Sequence, residues 1–481
     1  MKRIAIIGGG ISGVTAAHEL ACLQGAGESI QFVLYESSPR LGGAVSTRYA
    51  NFPGIGPLVI ELGPDGWVSE KPWLHELAIE LGLSAEIVPS NDAERRTLLL
   101  RDGKLEPIPD GMRMMVPLDD DAIRTTSLLS ETARHDYLDE PSRADELRKL
   151  SSETTGDISV ADFLRRHFGE EATRTFAGPL LAGIFGGDIE KLSAPSVMPF
   201  FVALERDHGS LIVGLRAQRA ARKSSDPAPS IFTTLRTGLA SMIDAMAAKL
   251  PANSVRTEQP VLAIANNHAC WSVTTAAGTE LFDSLLIATP AHVTHSLLTP
   301  VDQTLAQLHS LPASSTVLVA LAYCERIPLP EAFGFLVQQP QPEAHPALLA
   351  CTFCHNKYPH TTPAAAMLLR VFFGGPNVSS VESLDDNAIA ELAQNQLLQL
   401  FPDMSAPELA IVQRWPNSLP QYELGHEDKV QQIEQRASML PGLHLIGNAY
   451  RGVGLPDMVH RARTQARAAA QFNSSIPTQT R

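Results

Sequence analysis

Apolar and polar residues change rhythm several times along the chain, and each change marks an element. Ile4-Ala5-Ile6-Ile7 is a short continuous apolar run ending in glycines, the pattern of a buried parallel strand. A helical pattern follows over Val14–Leu23, and a second strand ends at Glu36, so residues 1–36 predict strand, glycine turn, helix, strand. Trp73–Ala78 reads as helix, and Thr97–Leu100 and Lys104–Pro107 read as strands around an Asp102-Gly103 turn. Residues 119–220 carry apolar positions at three-to-four spacing, with Asp157 or Ser159 as a cap before Val160. A helix over Leu239–Leu250 precedes a strand meander at Val261–Ile264, Cys270–Thr274 and Ser284–Ala288. Residues 315–323 and 366–373 are β-like, and Gln338–Pro346 is a Pro/Gln-rich loop. The chain closes with a strand at Leu443–Gly447, a glycine turn, a helix from Pro456 to Gln471 and a polar tail.

Composition narrows the class. A chain of 481 residues with 44% hydrophobic residues has room for several domains and a large core. Its net charge of −14 repels phosphate backbones and argues against a nucleic-acid partner. Five widely spread cysteines make no disulfide framework and suit a reducing compartment. No signal-peptide pattern and no stretch of membrane-spanning length is found, so the expected location is cytoplasmic. Peripheral contact with the inner face of the plasma membrane needs no spanning helix and stays compatible.

Gly8-Gly9-Gly10-Ile11-Ser12-Gly13 has the Gly-x-Gly-x-x-Gly spacing. Alone this is weak, but it sits between a strand and a helix, with Glu36 about 20 residues on, as a dinucleotide site requires. Gly8 permits the turn, Gly10 lets a pyrophosphate approach the helix N-terminus, and Gly13 lets helix and strand pack closely. Arg40-Leu41-Gly42-Gly43-Ala44 resembles the second phosphate loop of the amine-oxidase-like flavoproteins, which points to FAD rather than NAD. Near the C-terminus, Gly452-Val453-Gly454-Leu455-Pro456-Asp457 opens a helix whose positive end suits a reduced flavin. No second nicotinamide fingerprint follows, so electrons are expected to come from an organic substrate and to leave to oxygen or a membrane-borne acceptor.

Together these segments resemble the protoporphyrinogen oxidase family of FAD-dependent porphyrinogen oxidases. The resemblance also rests on Glu61-Leu62-Gly63-Pro64, Gly183-Ile184-Phe185-Gly186-Gly187-Asp188 with Leu192-Ser193, Gly209–Ile212, Leu235–Leu239, and Pro420-Gln421-Tyr422 with Gly425-His426. It implies FAD contacts at Gly8, Gly9, Gly10, Ile11, Ser12, Gly13, Glu36, Ser37, Arg40, Gly42, Gly43 and Ala44. It further implies them at Gly63, Pro64, Asp65 and Gly66 beside the isoalloxazine, at Val261 beside the adenine, and at Val453, Gly454 and Leu455.

The implied fold is α/β and α+β. It comprises a discontinuous Rossmann-like FAD domain (1–67, 231–296, 437–472), a sheet-based substrate domain (68–90, 297–436) and a helical domain (91–215) that in relatives docks on membranes. A mobile loop at 216–230 and a tail at 473–481 complete it. The implied reaction is an oxygen-dependent, six-electron oxidation of protoporphyrinogen IX to protoporphyrin IX in haem synthesis. Hydride passes to the flavin, hydrogen peroxide is released, and the alternative is coproporphyrinogen III to coproporphyrin III. Implied partners are the porphyrinogen, molecular oxygen, the next haem-pathway enzyme at hand-over, and a second copy in a homodimer.

A flat apolar macrocycle with anionic propionates calls for a wide apolar cleft with a cation at its mouth. Arg113, flanked by methionines, is the candidate cation. Gly183 and Phe185 are expected to line the cleft and Val319 to floor it. No catalytic acid or base is expected, and no metal: Cys351-x-x-Cys354 reads as strand residues facing opposite ways, with no second cysteine pair. An amine oxidase would need an aromatic cage, for which Tyr450 lacks a flanking partner. A carotenoid desaturase would be inert toward porphyrinogens, and a non-catalytic escort need not keep the phosphate glycines.

Overall fold

The structure, a computed structural model, describes residues 1–221, 230–267, 270–338, 347–375 and 377–472. Two sheets organise it. The first is five-stranded and wholly parallel, in the order Val255–Arg256, Ile30–Tyr35, Lys2–Ile7, Ser284–Ile287, Leu443–Leu445. Parallel strands are covered on both faces, which is why they read as unbroken apolar runs. One face carries the helices Ile11–Gly25, Pro72–Glu80, Ala240–Ala247 and Leu455–Gln471, through Leu20, Leu77, Met246 and Val459. The other carries the meander Ala263–Asn266, Trp271–Thr275, Gly278–Phe282 and three helices, through Trp271, Leu298, Leu305 and Ile433.

The second sheet has seven strands, in the order Leu409–Pro420, Ala313–Tyr323, Met367–Phe373, Leu348–Phe353, Gly334–Val337, Thr97–Arg101, Lys104–Pro107. The pleat sorts its long central strand. Val317, Val319 and Leu321 pack with Ile389 and Leu397 of the helix Asp386–Leu400. Leu318, Ala320 and Ala322 pack with Leu58 and Ile60 of the hairpin Thr47–Phe52/Gly56–Glu61, and with Leu62 just after it, all in the dinucleotide half. The two halves are therefore sealed by one face of this strand.

Several boundaries differ from those read in the sequence. Thr97–Arg101 and Lys104–Pro107, grouped above with the helical segment, pair into the edge of the seven-stranded sheet. The helix Pro72–Glu80, grouped with the substrate domain, packs on the parallel sheet through Leu74, Leu77 and Ala78. The helix Leu211–Ala221 runs into the expected loop at 216–230, of which 222–229 lie outside the described residues, as do 339–346 of the Pro/Gln-rich loop and the tail at 473–481. Cys354 is not in a strand: the strand ends at Phe353 and Cys354 opens a short helix. Among the described residues no helix is long and apolar enough to cross a membrane, and no cluster of metal-ligating groups occurs.

Helices between Asp120 and Ala221 form a layer around Phe163, Phe168, Phe176 and Leu211. Ser159, not Asp157, caps the helix from Val160, by accepting from the Asp162 N–H. That run breaks at Gly169 (φ +78°), and a π-helical turn at Thr173–Ala177 follows. An ionic cluster is sealed inside. His167, with no exposed surface, lies between the carboxylates of Glu140 (2.8 Å from Nδ1) and Glu205 (3.0 Å from Nε2). Arg166 reaches the second oxygen of Glu205 at 2.5 Å. Glu140 also accepts from the backbone N–H of Leu211 at 2.7 Å and from the Ser210 hydroxyl, so it caps the helix Leu211–Ala221.

Removing one member of a buried ionic network strands the others. Glu140→Ala is expected to lower unfolding free energy by about 3–5 kcal/mol, read from the chemical denaturation midpoint, and Glu140→Gln by clearly less. A loss from Glu140→Ala within ~0.5 kcal/mol, the range of an ordinary surface change, would contradict a structural role for the cluster.

Candidate active site

Four loops meet at the carboxyl ends of the parallel strands. In the first, Gly8 sits at φ +102° and donates its N–H to the Tyr35 carbonyl. A Cβ on Gly13 would lie 1.8 Å from the Gly8 carbonyl oxygen, so helix and strand approach as only glycine allows. Gly10 is the N-cap of the helix Ile11–Gly25. No side chain caps that helix, its first turn holds no acidic residue, and a Cβ on Gly10 would meet nothing within 4 Å. Its leading N–H groups, on the buried Ile11 and Ser12 and on Gly13, form an uncapped positive helix end beside open space.

Glu36 closes this loop from the next strand: its carboxylate accepts from the N–H of Gly9 at 2.6 Å and of Ser38 at 2.8 Å, with the Ser37 hydroxyl at 3.3 Å. The second loop lies against the first, the Gly42 N–H donating to the Gly9 carbonyl, with Gly43 within 3.1 Å of the Gly10 Cα by its missing Cβ. Arg40 turns inward, donating to the carbonyls of Val45 (3.1 Å) and Gly43 (2.6 Å), so it braces this loop. Gln259 joins the same corner by donating its N–H to the Glu36 carbonyl, two residues before Val261.

The third loop, Gly63-Pro64-Asp65-Gly66, is held from the other half of the molecule. A Cβ on Gly63 would strike the Ala44 carbonyl at 1.8 Å, and one on Gly66 would strike the Tyr358 hydroxyl and the Thr233 carbonyl. Asp65 is bridged by Lys357 at 2.9 Å and Arg370 at 3.0 Å. Arg370 also donates to the Gly63 carbonyl, and the Trp415 indole N–H donates to that of Leu62 at 2.7 Å. Burial opposes the charge on Asp65, yet the two cations hold its carboxyl below its usual pKa. These partners escaped the sequence reading because nothing in the spacing of 65, 357, 370 and 415 marks them as neighbours.

The fourth loop, Gly452–Asp457, opens the helix Leu455–Gln471. Leu455 is buried with Ile11, Val45 and Trp67, while Val453 packs on the helical layer. Asp457 in its first turn is bound by Lys71 at 2.6 and 2.7 Å, which offsets the acidic group at the helix start. The neighbouring Glu70 binds Arg113 at 2.7 and 2.9 Å, and the guanidinium lies 4.3 Å from the Phe200 ring centre. Two consecutive residues thus fasten the fourth loop and Arg113, and the sequence reading of Arg113 missed this carboxylate.

Of the remaining candidates, Gly183 is exposed beside Leu336, whereas Phe185 is buried in the core of the helical layer. Val319 does not floor a cleft. It has no exposed surface and faces the helix Asp386–Leu400, because the pleat turns Leu318 and Ala320 to the side of the loops instead. Tyr450 is likewise interior, against His309 at 3.2 Å and Arg461, and contributes to no open aromatic cage. His426 is structural, with Nε2 2.7 Å from the Tyr450 carbonyl and its ring stacked on Tyr422.

The model of flavin-containing amine oxidoreductases matches residues 11–471. The chain belongs to that family. Its relatives include the coproporphyrinogen III oxidases of Staphylococcus aureus, 30% identical, and Bacillus subtilis, 29% identical, each match covering 98% of both chains. A crystal structure from Exiguobacterium, named as a candidate protoporphyrinogen oxidase, superposes with a TM-score of 0.83 at 31% identity over 98% of both chains. The chain is a flavin-dependent oxidoreductase of the porphyrinogen oxidase branch, and its cofactor is FAD.

The geometry fits a dinucleotide. The glycine cradle leaves backbone room at an uncapped helix end, and among the described residues the buried Gln259 side-chain oxygen and Trp67 indole N–H find no partner. Glu61 stands directly before the third loop. Burial pushes its carboxyl up to about 7, against the N–H of Leu239 (2.7 Å) and the hydroxyl of Thr47 (2.9 Å), which favour the anion. Its ordinary value is 4.5, so the folded chain binds more protons than the unfolded chain between these limits. The contribution of Glu61 to stability is fully present below pH 4.5 and is lost as pH rises through about 7. Glu61→Gln is expected to flatten that part of the stability–pH profile, measured by denaturation midpoints across the range. An unaltered profile would contradict a raised pKa at Glu61.

Proposed function

We propose that this chain is an oxygen-dependent porphyrinogen oxidase of haem synthesis, with coproporphyrinogen III as substrate and coproporphyrin III as product. The observation that carries this reading is the end-to-end similarity, at 29–30% identity, to two coproporphyrinogen III oxidases. Protoporphyrinogen IX is the second reading, favoured by the name of the Exiguobacterium structure. In both, three two-electron oxidations turn the porphyrinogen into the porphyrin, and three molecules of oxygen become hydrogen peroxide.

Bound FAD supplies the hydride acceptor and the route to oxygen. The chain's own residues supply binding and orientation. The N-terminal turn of Ile11–Gly25, with Gly8, Gly9, Gly10, Ile11, Ser12 and Gly13, receives the pyrophosphate, and Gly42, Gly43 and Ala44 cover it. Glu36 and Ser37 take the ribose side and Val261 the adenine side. Arg40 acts through the shape of its loop. Gly63, Pro64, Asp65 and Gly66 form one wall at the ring, and Val453, Gly454 and Leu455 the other. Asp65 and Asp457 are each tied to cations, which suits them to fixing loops rather than taking protons. No residue is assigned as catalytic acid or base.

Arg113 is the substrate cation, set at the mouth by its tie through Glu70 to the residue that holds the fourth loop. In the free protein Glu70 occupies the place of a substrate carboxylate, and an incoming propionate competes with it. The exposed pair is worth ~0–1 kcal/mol, so exchange costs little. Gly183 borders the same opening.

The deciding assay follows porphyrin fluorescence with both porphyrinogens in parallel, corrected for autoxidation. Faster turnover of coproporphyrinogen is expected; a protoporphyrinogen preference would select the second reading, and inertness toward both would overturn the proposal. Arg113→Ala is expected to raise KM roughly tenfold, equivalent to ~1.4 kcal/mol, with kcat nearly unchanged. Glu70→Gln should lower KM, because the competing anion is gone. Unchanged KM in both variants would remove Arg113 from the site.

A further inference from the structure

Two segments far apart in the sequence are Gly183–Asp188 and Pro420–His426. The structure brings them together. Gln421 is buried, and its side-chain NH2 donates to the Phe185 carbonyl (2.7 Å), the Leu419 carbonyl (3.0 Å) and the Ser314 hydroxyl (2.9 Å). Ser314 in turn donates to the Phe185 carbonyl at 3.1 Å. The side-chain oxygen of Gln421 fills the space where Gly187 would carry a Cβ, 2.0 Å away. Gly186, at φ +61°, ends the helix Gly178–Phe185 and turns the chain over this contact.

The next residue reaches the opposite way. The Tyr422 hydroxyl donates to the Asn448 carbonyl at 2.6 Å, at the root of the fourth loop. Its ring stacks on His426 at 4.0 Å, and His426 bonds the Tyr450 carbonyl at 2.7 Å. The Tyr422 carbonyl accepts from the Ser193 N–H, and the Leu424 N–H donates to the Lys191 carbonyl, both at 2.8 Å. Residues 421–426 therefore lie between the end of the helix Gly178–Phe185 and the segment that leads into the fourth loop, bonded to both.

We propose that Gln421 and Tyr422 are positioning residues that couple the 183–188 loop to the 448–455 loop, so that each wall of the site holds its place only through the other. The inference rests on the reading above that these loops border the porphyrinogen and the flavin respectively. A coupling of this kind is reciprocal: a change at one wall must appear in the affinity at the other. Of the two loops, the Gln421 side chain bonds the substrate-side one and the Tyr422 hydroxyl bonds the flavin-side one, so a change confined to either side-chain group perturbs one side.

The test uses purified holoenzyme with Gln421→Glu and with Tyr422→Phe. Gln421→Glu keeps the size but sets an anionic oxygen against two carbonyls. Tyr422→Phe keeps the ring and removes one hydroxyl. The rate of FAD release, followed by the rise in free-flavin fluorescence, and KM for the porphyrinogen are both measured. The expected result is a crossed effect: Gln421→Glu speeds FAD release at least threefold, and Tyr422→Phe raises KM at least threefold. Ser314→Ala, a milder loss of the same contact, replaces Gln421→Glu should the latter not fold. A Glu140→Gln variant controls for general loosening, since the hydrogen bonds of its carboxylate run to His167, Ser210 and Leu211 and to neither loop.

Effects confined to each residue's own side would overturn the proposal, as would equal effects from Glu140→Gln. The FAD-release arm needs no substrate. If the wild type oxidised no porphyrinogen, the proposed function would fail while that arm still supported or overturned the coupling.

Discussion

The joint between the two sheets depends on one half-buried charge. Asp65 lies on the loop that follows the Gly56–Glu61 strand, and its two cations come from the second half of the molecule, Lys357 from a short helix and Arg370 from a central strand. A carboxylate removed from water is tolerated only where cations and donors surround it. Once Asp65 is largely withdrawn from water, therefore, Lys357 and Arg370 must be present at that spot, and the seven-stranded sheet must be in register behind them. Arg370 and Trp415 then use their remaining N–H groups on the carbonyls of Gly63 and Leu62. The apolar seal of Leu318 and Ala320 against Leu58 and Ile60 adds area, but area alone leaves sliding freedom that directional bonds remove.

The same logic recurs wherever the sequence carries a segment typical of the family. Gly209-Ser210-Leu211 wraps Glu140, and a Cβ on Gly209 would lie 1.9 Å from the Ala144 carbonyl. Leu235–Leu239 presents its last N–H to Glu61, and Gly238 leaves room for Thr47. Each segment is a glycine that admits a close approach beside a polar atom that satisfies a buried partner. At these two segments the chain sets hydrogen-bonded carboxylates between large apolar layers, and each fixes an orientation that packing would leave loose.

Elements set by short-range pattern were legible in the sequence. The opening strand, helix and strand, the Asp102-Gly103 turn at positive φ, and the closing helix all stand where periodicity and turn chemistry put them. The glycine cradle was legible too, because strand, spacing, helix and Glu36 are contiguous. What escaped were relations between distant residues. The pairing of Thr97–Arg101 with Gly334–Val337 is parallel and joins strands more than two hundred residues apart, so no local signal announces it. Val319 was misplaced because an apolar strand shows which residues are buried but not which face each serves. Arg113 was read without Glu70, since an ion pair across 43 positions has no periodicity.

The order of the parallel sheet has a consequence for how the protein comes into being. Its first strand lies between Ile30–Tyr35 and Ser284–Ile287, and the outer place beyond the latter belongs to Leu443–Leu445. The helix Leu455–Gln471 then packs directly on Ile11–Gly25, the helix that opens the cradle. A nascent chain therefore holds its fingerprint for more than four hundred residues of synthesis without the neighbours that cover it. Closing loops of several hundred residues is slow, and unpaired parallel strands attract other chains while they wait. A dinucleotide can therefore be enclosed only after segments more than four hundred residues apart have met, which ties capture of the cofactor to the longest-range contact of the sheet.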